Sequence, residues 1–267
     1  MCKLQEIISA TGFKHPNGII HLHVGGSATH GAQTGSQDLD LLGVYIPPVD
    51  QALGITEFET NPDDSKFKKR VEVDHFDWST APDNRKNTKD DVDVSLSSLR
   101  KWAGLAAKGH PEALHCLFTP NLAIAPGMWE KHIRPHADLF ISKWAFNTFH
   151  GCATEQWNRL RRDRKVQTDP INSKMAMHVV RVLAEGVELL TTGKITFPNQ
   201  EKDLLLQIRN GEFSFTAMDQ MVDHYIKELI RAKNDSSLTE DVDRGAISRL
   251  VADTYLDFYT GGTWLRT

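Results

Sequence analysis

The chain has 267 residues, 40% of them apolar and 25% charged, enough to bury a sizeable core in one large domain or two small ones. Its formal net charge of -4 gives no general attraction to nucleic acid or an anionic membrane, so any polyanion site must be a local concentration of Lys and Arg. Cys2, Cys116 and Cys152 are widely spaced and lack a CxxC pair, which argues against a disulfide framework or a thiolate zinc site and fits a reducing cytoplasm; no stretch approaches the roughly 18 uninterrupted apolar residues of a membrane-spanning helix.

Cys2 to Thr11 reads as a short helix ending at Gly12, and GIIHLHV alternates apolar and polar positions as a half-buried strand does. A glycine-containing turn follows, then DLDLLGVYIPP alternates again and stops at Pro47-Pro48. Residues 60 to 90 are polar and punctuated by Pro and Asn; they read as a long excursion with one strand at Arg70 to Phe76. DDVDVSL gives a third strand leading into LSSLRKWAGLAAKG, an amphipathic helix closed by Gly109. From about residue 110 the period is helical: HPEALHCLF, the run from Ala137 to Lys165, PINSKMAMHVVRVLAEGVELLTTG, PNQEKDLLLQIRNG, TAMDQMVDHYIKELIRAK and LTEDVDRGAISRLVADTYLDFY. The expectation is an α+β fold, with a mixed-sheet unit over 1–120 and a helical bundle over 121–267, meeting near Pro120 to Pro126.

The chemistry concentrates in HVGGSATHGAQTGSQDLDLLGV, residues 23 to 44. Gly25, Gly26 and Gly31 allow close backbone approaches that a Cβ would block, and a turn opening a helix points free N–H groups at an anion; Ser27 adds a hydroxyl. Such a turn can equally serve only to close a hairpin. Asp38 and Asp40 sharpen the reading, because residues i and i+2 of a strand share a face and two adjacent carboxylates repel unless a cation lies between them. Hard divalent ions such as Mg²⁺ take oxygen ligands of this kind and keep positions open for substrate phosphates. Asp93, with Asp91 two residues earlier on the same face, offers a third carboxylate, although DDVDV also suits a solvated edge strand. Three carboxylates with two Mg²⁺ ions can activate a hydroxyl and stabilise leaving pyrophosphate.

Other constellations have both functional and plain readings. Lys174, His178, Arg181 and Glu185 are spaced by four, three and four and form a polar ridge on one helix, opposite Ala176, Val179, Val180, Leu183 and Val187. The ridge is either a wet helix face or a source of positive charge that brings Lys174 and Arg181 to the β- and γ-phosphates. WNRLRRDRK, residues 157 to 165, would suit stacking and phosphate pairing with nucleic acid, or is simply a charged helix end. His21, His23 and His30 invite a zinc reading but lack a partner signature such as HExxH.

GGSATHG followed by SQDLDLLGV resembles the glycine-serine turn and Asp-x-Asp strand of the DNA polymerase β-like nucleotidyltransferase superfamily, with Asp93 where that superfamily places its third carboxylate. LRKWAGLAAKGHPEALHCLFTP, KMAMHVVRVLAEGVELLTTGKITFP and IRNGE are similar to a branch of predicted bacterial and phage nucleotidyltransferases, some associated with RNA repair (RlaP-like), over roughly residues 20 to 215. His110 stands where that branch commonly has Asn before Pro111, and the 60 to 90 excursion follows none of its patterns. The resemblance implies a nucleotidyltransferase-type sheet over 1–120 as catalytic domain. Gly26 and Ser27 would bind the nucleotide phosphates, joined by Lys174, His178 and Arg181. Asp38, Asp40 and Asp93 would hold two Mg²⁺ ions, with Mn²⁺ able to substitute, and Asp93 would also act as general base. The expected reaction transfers a nucleoside monophosphate from an NTP or dNTP to a hydroxyl, with RNA among the candidate acceptors and no membrane partner. The alternative is a non-catalytic nucleotide- or RNA-binding module on the same fold.

Overall fold

A computed structural model of the chain describes residues 2–32, 38–53, 69–72, 74–81, 88, 90–123, 127–163 and 171–261; for 2, 3, 27, 28 and 69–72 it describes the backbone alone. The architecture is α+β. Helix α1 (Cys2–Ala10) leads to strand β1 (Ile19–Val24), the one-turn helix α2 (Gly26–Thr29), strand β2 (Leu39–Tyr45) and the short helix α3 (Val49–Leu53). Strands β3 (Lys69–Glu72), β4 (His75–Ser79) and β5 (Val92–Ser98) follow, then helices α4 (Leu99–Ala106) and α5 (Pro111–Phe118). The C-terminal helices are α6 (Ala145–Asp163), α7 (Ser173–Thr192), α8 (Lys202–Arg209), α9 (Phe215–Asp235) and α10 (Arg244–Tyr259).

The strands form one mixed sheet in the order β1-β2-β5-β4-β3, in which only β2 and β5 run parallel. Strand alternation gives its two faces different work. Leu41, Tyr45, Val94 and Leu96 point to one side and pack with Ile8 of α1, Phe13, Phe76 and Trp78. The opposite side carries Ile20 and Val44 into a larger apolar cluster that runs through α4, α5, α6, α7 and α9 and so crosses residue 120. Asp40 and Asp93 lie on this second side.

Two sequence expectations need correction. The single strand at Arg70 to Phe76 is a hairpin of β3 and β4, with Arg70 opposite Asp77 and Val71 opposite Phe76. No Gly, Pro or Asn marks its turn; Asp74 there accepts hydrogen bonds from the hydroxyl of Ser98 and the guanidinium of Arg100. The run from Ala137 to Lys165 is not one helix: tight 3-10 turns over Arg134–Phe140, begun where Pro135 lacks an N–H, give way to α6 at Ala145. Arg164 and Lys165 lie outside the described residues.

From Ala176 to Gly186 helix α7 is buried on every side, apart from half-buried His178. Ala176, Val179, Val180 and Leu183 are buried as its apolar pattern predicts, yet Arg181 and Glu185 of the polar ridge are also 7% and 0% exposed. The wet-face reading of the ridge therefore fails beyond its first turn. Gly186 allows the close packing: a Cβ there would lie 2.8 Å from Leu229 Cδ1 and 3.0 Å from Phe149 Cδ1, so α9 and α6 could not approach as they do.

Candidate active site

The register of the parallel pair creates the carboxylate cluster. Asp40 of β2 is directly opposite Asp93 of β5 on the same sheet face, and Asp38 precedes Asp40 by two residues. Each of the three can offer an oxygen within 4.8 Å of the other two. Partial burial, then Asp38 and Asp93, push Asp40 up to about 6, while Lys174 acts in the opposite direction and Glu112 adds to the rise. Like charges this close favour either a bound proton or a bound cation. Asp91 turns away from the cluster and is buried, its carboxylate accepting from the Thr88 backbone N–H (2.6 Å), the Thr88 hydroxyl (2.8 Å) and the Thr80 hydroxyl (3.0 Å). The shared face expected for Asp91 and Asp93 is not observed, because Asp91 precedes β5 and ties down the loop before it.

The glycine turn sits against the same carboxylates. Gly25 N–H donates to the Asp40 carbonyl at 2.8 Å, and Gly26, at φ +67°, comes so close that a Cβ would lie 2.5 Å from Asp40 Oδ2. The backbone of Ser27 belongs to α2, but its side chain lies outside the described residues. The turn, Asp38 and Asp40 open into a cavity of about 380 Å³ whose other walls include α7 and Gln156 of α6. Lys174, His178 and Arg181 line it, and so do Thr29, His30, Glu112, His115, Gln156 and Asn172, to which sequence spacing assigned no part in the donor site. These come from α2 and the residue after it, α5, α6 and the α7 cap, and only the tertiary fold brings them together.

Arg181 is anchored rather than free. Its Nη1 donates to Glu185 Oε1 at 3.1 Å and to His30 Nε2 at 2.7 Å, and its Nη2 to His178 Nδ1 at 2.7 Å. His30 Nδ1 and His115 Nε2 donate to the two oxygens of Glu185 at 3.0 and 2.9 Å. Burial lowers His30 and His178 to about 4, so both are neutral at pH 7 and can accept from Arg181. Burial alone would raise Glu185, but Arg181 and the hydrogen bonds from His115 and His30 more than offset it and hold the carboxyl well below its ordinary value.

The other constellations resolve differently. Trp157 is 3% exposed, stacks on Phe215 at 5.5 Å and donates from Nε1 to Asp219, which also pairs with Arg161. Trp157 is a core residue, not a base-stacking platform, and the charged-helix-end reading holds for the described part of the run. His21 and His23 share a strand face as expected, are 3.2 Å apart, and can offer nitrogens close to Cys116 Sγ. Burial pushes His23 down to about 3. His110 occupies the N-cap of α5 with no side-chain cap bond, and Pro111 provides the first-turn geometry instead.

A family model described as "RlaP: RNA repair pathway DNA polymerase beta family" matches residues 1–257. The chain belongs to the RlaP family. RlaP membership makes a nucleotidyltransferase-type function the coarse assignment and associates the chain with RNA repair. The chain is also similar to the "Uncharacterized 38.9 kDa protein in nrdC-mobD intergenic region" of Enterobacteria phage T4, 30% identical over 122 residues, which is 44% of this chain and 31% of the relative. The matched stretch thus spans less than a third of that relative's length.

Proposed function

We propose that the protein is a divalent-metal-dependent nucleotidyltransferase, and the observation that carries the reading is the convergence of Asp38, Asp40 and Asp93 beside a glycine turn and a cationic cavity wall. The donor set fits Mg²⁺: all three residues offer hard oxygens, and Asp40 is raised by burial and then by the repulsion of Asp38 and Asp93, which a cation would relieve. When bound, Mg²⁺ supplies charge neutralisation for the triphosphate and lowers the pKa of an attacking hydroxyl.

The residues divide the remaining work. Gly26 keeps the backbone close to Asp40 and leaves room for phosphate oxygens where a side chain would intrude. Lys174, exposed at the start of α7, and Arg181 face the cavity and neutralise the β- and γ-phosphates. The acceptor oxygen attacks the α-phosphorus; its new bond forms as the bond to the bridging β-oxygen breaks, and the electron pair leaves with pyrophosphate. Asp93 takes the hydroxyl proton. Positioning and charge neutralisation account for most of the barrier reduction in such reactions.

The donor is an NTP or dNTP, and RNA is the acceptor we place first, on the family's RNA-repair description. The test is to incubate the protein with each α-labelled NTP and dNTP, Mg²⁺ and separate pools of RNA, DNA, protein and metabolites. Transfer of label with matching pyrophosphate supports the reading. Nucleotide binding without release of pyrophosphate from any pool would favour a non-catalytic binding module.

A further inference from the structure

Below the candidate triphosphate site lies a buried polar cluster in which one carboxylate receives three donors. Glu185 is fully buried and its oxygens accept from His30, His115 and Arg181, side chains from three separate segments of the chain. A carboxylate can only accept, so Nδ1 of His30 and Nε2 of His115 carry the hydrogens. Nε2 of His30 is then an acceptor, and Arg181 Nη1 fills it at 2.7 Å. His30, His115 and Glu185 could also be read as metal ligands. Arg181 argues against this: its Nη1 lies within 3.1 Å of Glu185 and 2.7 Å of His30, so a guanidinium already occupies the place a cation would need.

The cluster controls how Arg181 meets the cavity. Nη1 is committed to Glu185 and His30, and one Nη2 hydrogen to His178. Among the described residues the second Nη2 hydrogen has no acceptor and is left for a ligand. His30 in turn fixes the end of the glycine turn: its carbonyl accepts from Asn199 N–H at 3.3 Å, and the next residue, Gly31, packs against Pro198. The same carboxylate therefore sets the angle of the guanidinium and the seat of the turn.

We propose that Glu185 is a positioning residue of the donor site, holding Arg181 and the glycine turn in the orientation that receives the nucleotide's phosphates. The proposal rests on the donor-site reading above. Glu185 touches no substrate; its effect passes through Arg181 and His30. Replacing it by Gln keeps the shape but introduces an NH₂ that must face one of three donors, so at least one partner is displaced. Replacing it by Asp keeps the charge on a shorter arm.

The test begins with Kd values for ATP, GTP, CTP and UTP, each with Mg²⁺, and with Mn²⁺ binding measured separately. For the nucleotide that the wild type binds most tightly, Glu185→Gln is expected to raise Kd by about tenfold or more and to lower kcat/KM by at least the same factor. Glu185→Asp should recover part of the loss. Mn²⁺ binding should stay at the wild-type value, because the carboxylate triad is untouched. In an Arg181→Gln background, Glu185→Gln should weaken the nucleotide by much less than it does in the wild type, the remainder passing through His30 and the glycine turn, a coupling that a merely structural role would not produce. If Glu185→Gln does not fold, the Glu185→Asp and His30→Gln variants carry the same comparison. Additive losses, or an unchanged Kd in a folded variant, would overturn the proposal. Failure of the wild type to bind any nucleotide would instead remove the donor-site reading on which it rests.

Discussion

Replacing Gly26 by Ala separates geometry at the carboxylates from general stability. At φ +67° a Cβ costs about 1 to 2 kcal/mol in the left-handed region, which for a chain of this size lowers Tm by roughly 2 to 8 °C. The same Cβ would lie 2.5 Å from Asp40 Oδ2, where ordinary contacts begin at 3.4 Å, so the carboxylate or the turn must move by nearly an ångström. A displacement of about 1 Å at a reacting centre can cost around a hundredfold in rate. Gly25→Ala is the control: its Cβ would meet the flexible end of Leu42 at 2.9 Å, its φ is not positive, and its activity should fall by no more than about threefold. Pyrophosphate release and thermal melts on both variants decide the matter. Equal activities for the two, or a Gly26→Ala loss that disappears when the assay is run well below its Tm, would refute the reasoning.

Asp93→Asn should abolish transfer with a near-native melt, whereas Asp91→Asn should cost about 1 to 3 kcal/mol of stability through its three hydrogen bonds and leave kcat nearly intact; the reverse ranking would contradict the assignment. Because burial and its acidic neighbours push Asp40 up to about 6 in the folded chain, above the ordinary 3.8 that it regains on unfolding, the metal-free protein should gain stability from this group as pH falls from 7 towards 4, and Mg²⁺ affinity should weaken over the same range; thermal melts and calorimetric titrations at pH 7.5 and 5.5 check both. Asp40→Asn should accordingly raise Tm in chelator-treated buffer at pH 7 and lower it relative to wild type in Mg²⁺. Trp157→Ala should unfold the protein more easily by about 3 to 5 kcal/mol in denaturant melts, rather than selectively weakening RNA binding.

Local pattern carried much of the fold. The period-2 alternation of IIHLHV, LDLLGVY and VDVSLSS marked β1, β2 and β5, and Asp38, Asp40 and Asp93 were legible as a candidate carboxylate set from strand alternation and resemblance. Their meeting was not legible from spacing, since it depends on a parallel pairing across more than fifty residues. Nor was the fate of Asp91 and Asp93, because one residue of difference in where β5 begins decides which carboxylate joins Asp38 and Asp40. The burial of the α7 ridge was hidden for a related reason. Amphipathic period predicts a wet polar face, but α5 and the turn after α2 cover it, and Arg181 and Glu185 become burial-tolerant only because His30, His115 and His178 supply partners from the chain around them. Trp157 stood in a basic run, yet its ring belongs to the contact with α9 that no periodicity within α6 could announce.

The central claim is that three carboxylates from two strands hold the metal on which nucleotide transfer depends. Its most direct measurement is the stoichiometry of label transferred from an α-labelled NTP and pyrophosphate released, in Mg²⁺, for the wild type and for Asp38→Asn, Asp40→Asn and Asp93→Asn side by side. One pyrophosphate per label transferred is expected of the wild type, and loss of both products in folded Asp38→Asn, Asp40→Asn and Asp93→Asn proteins. Transfer within tenfold of wild type in any of the three variants would contradict the claim.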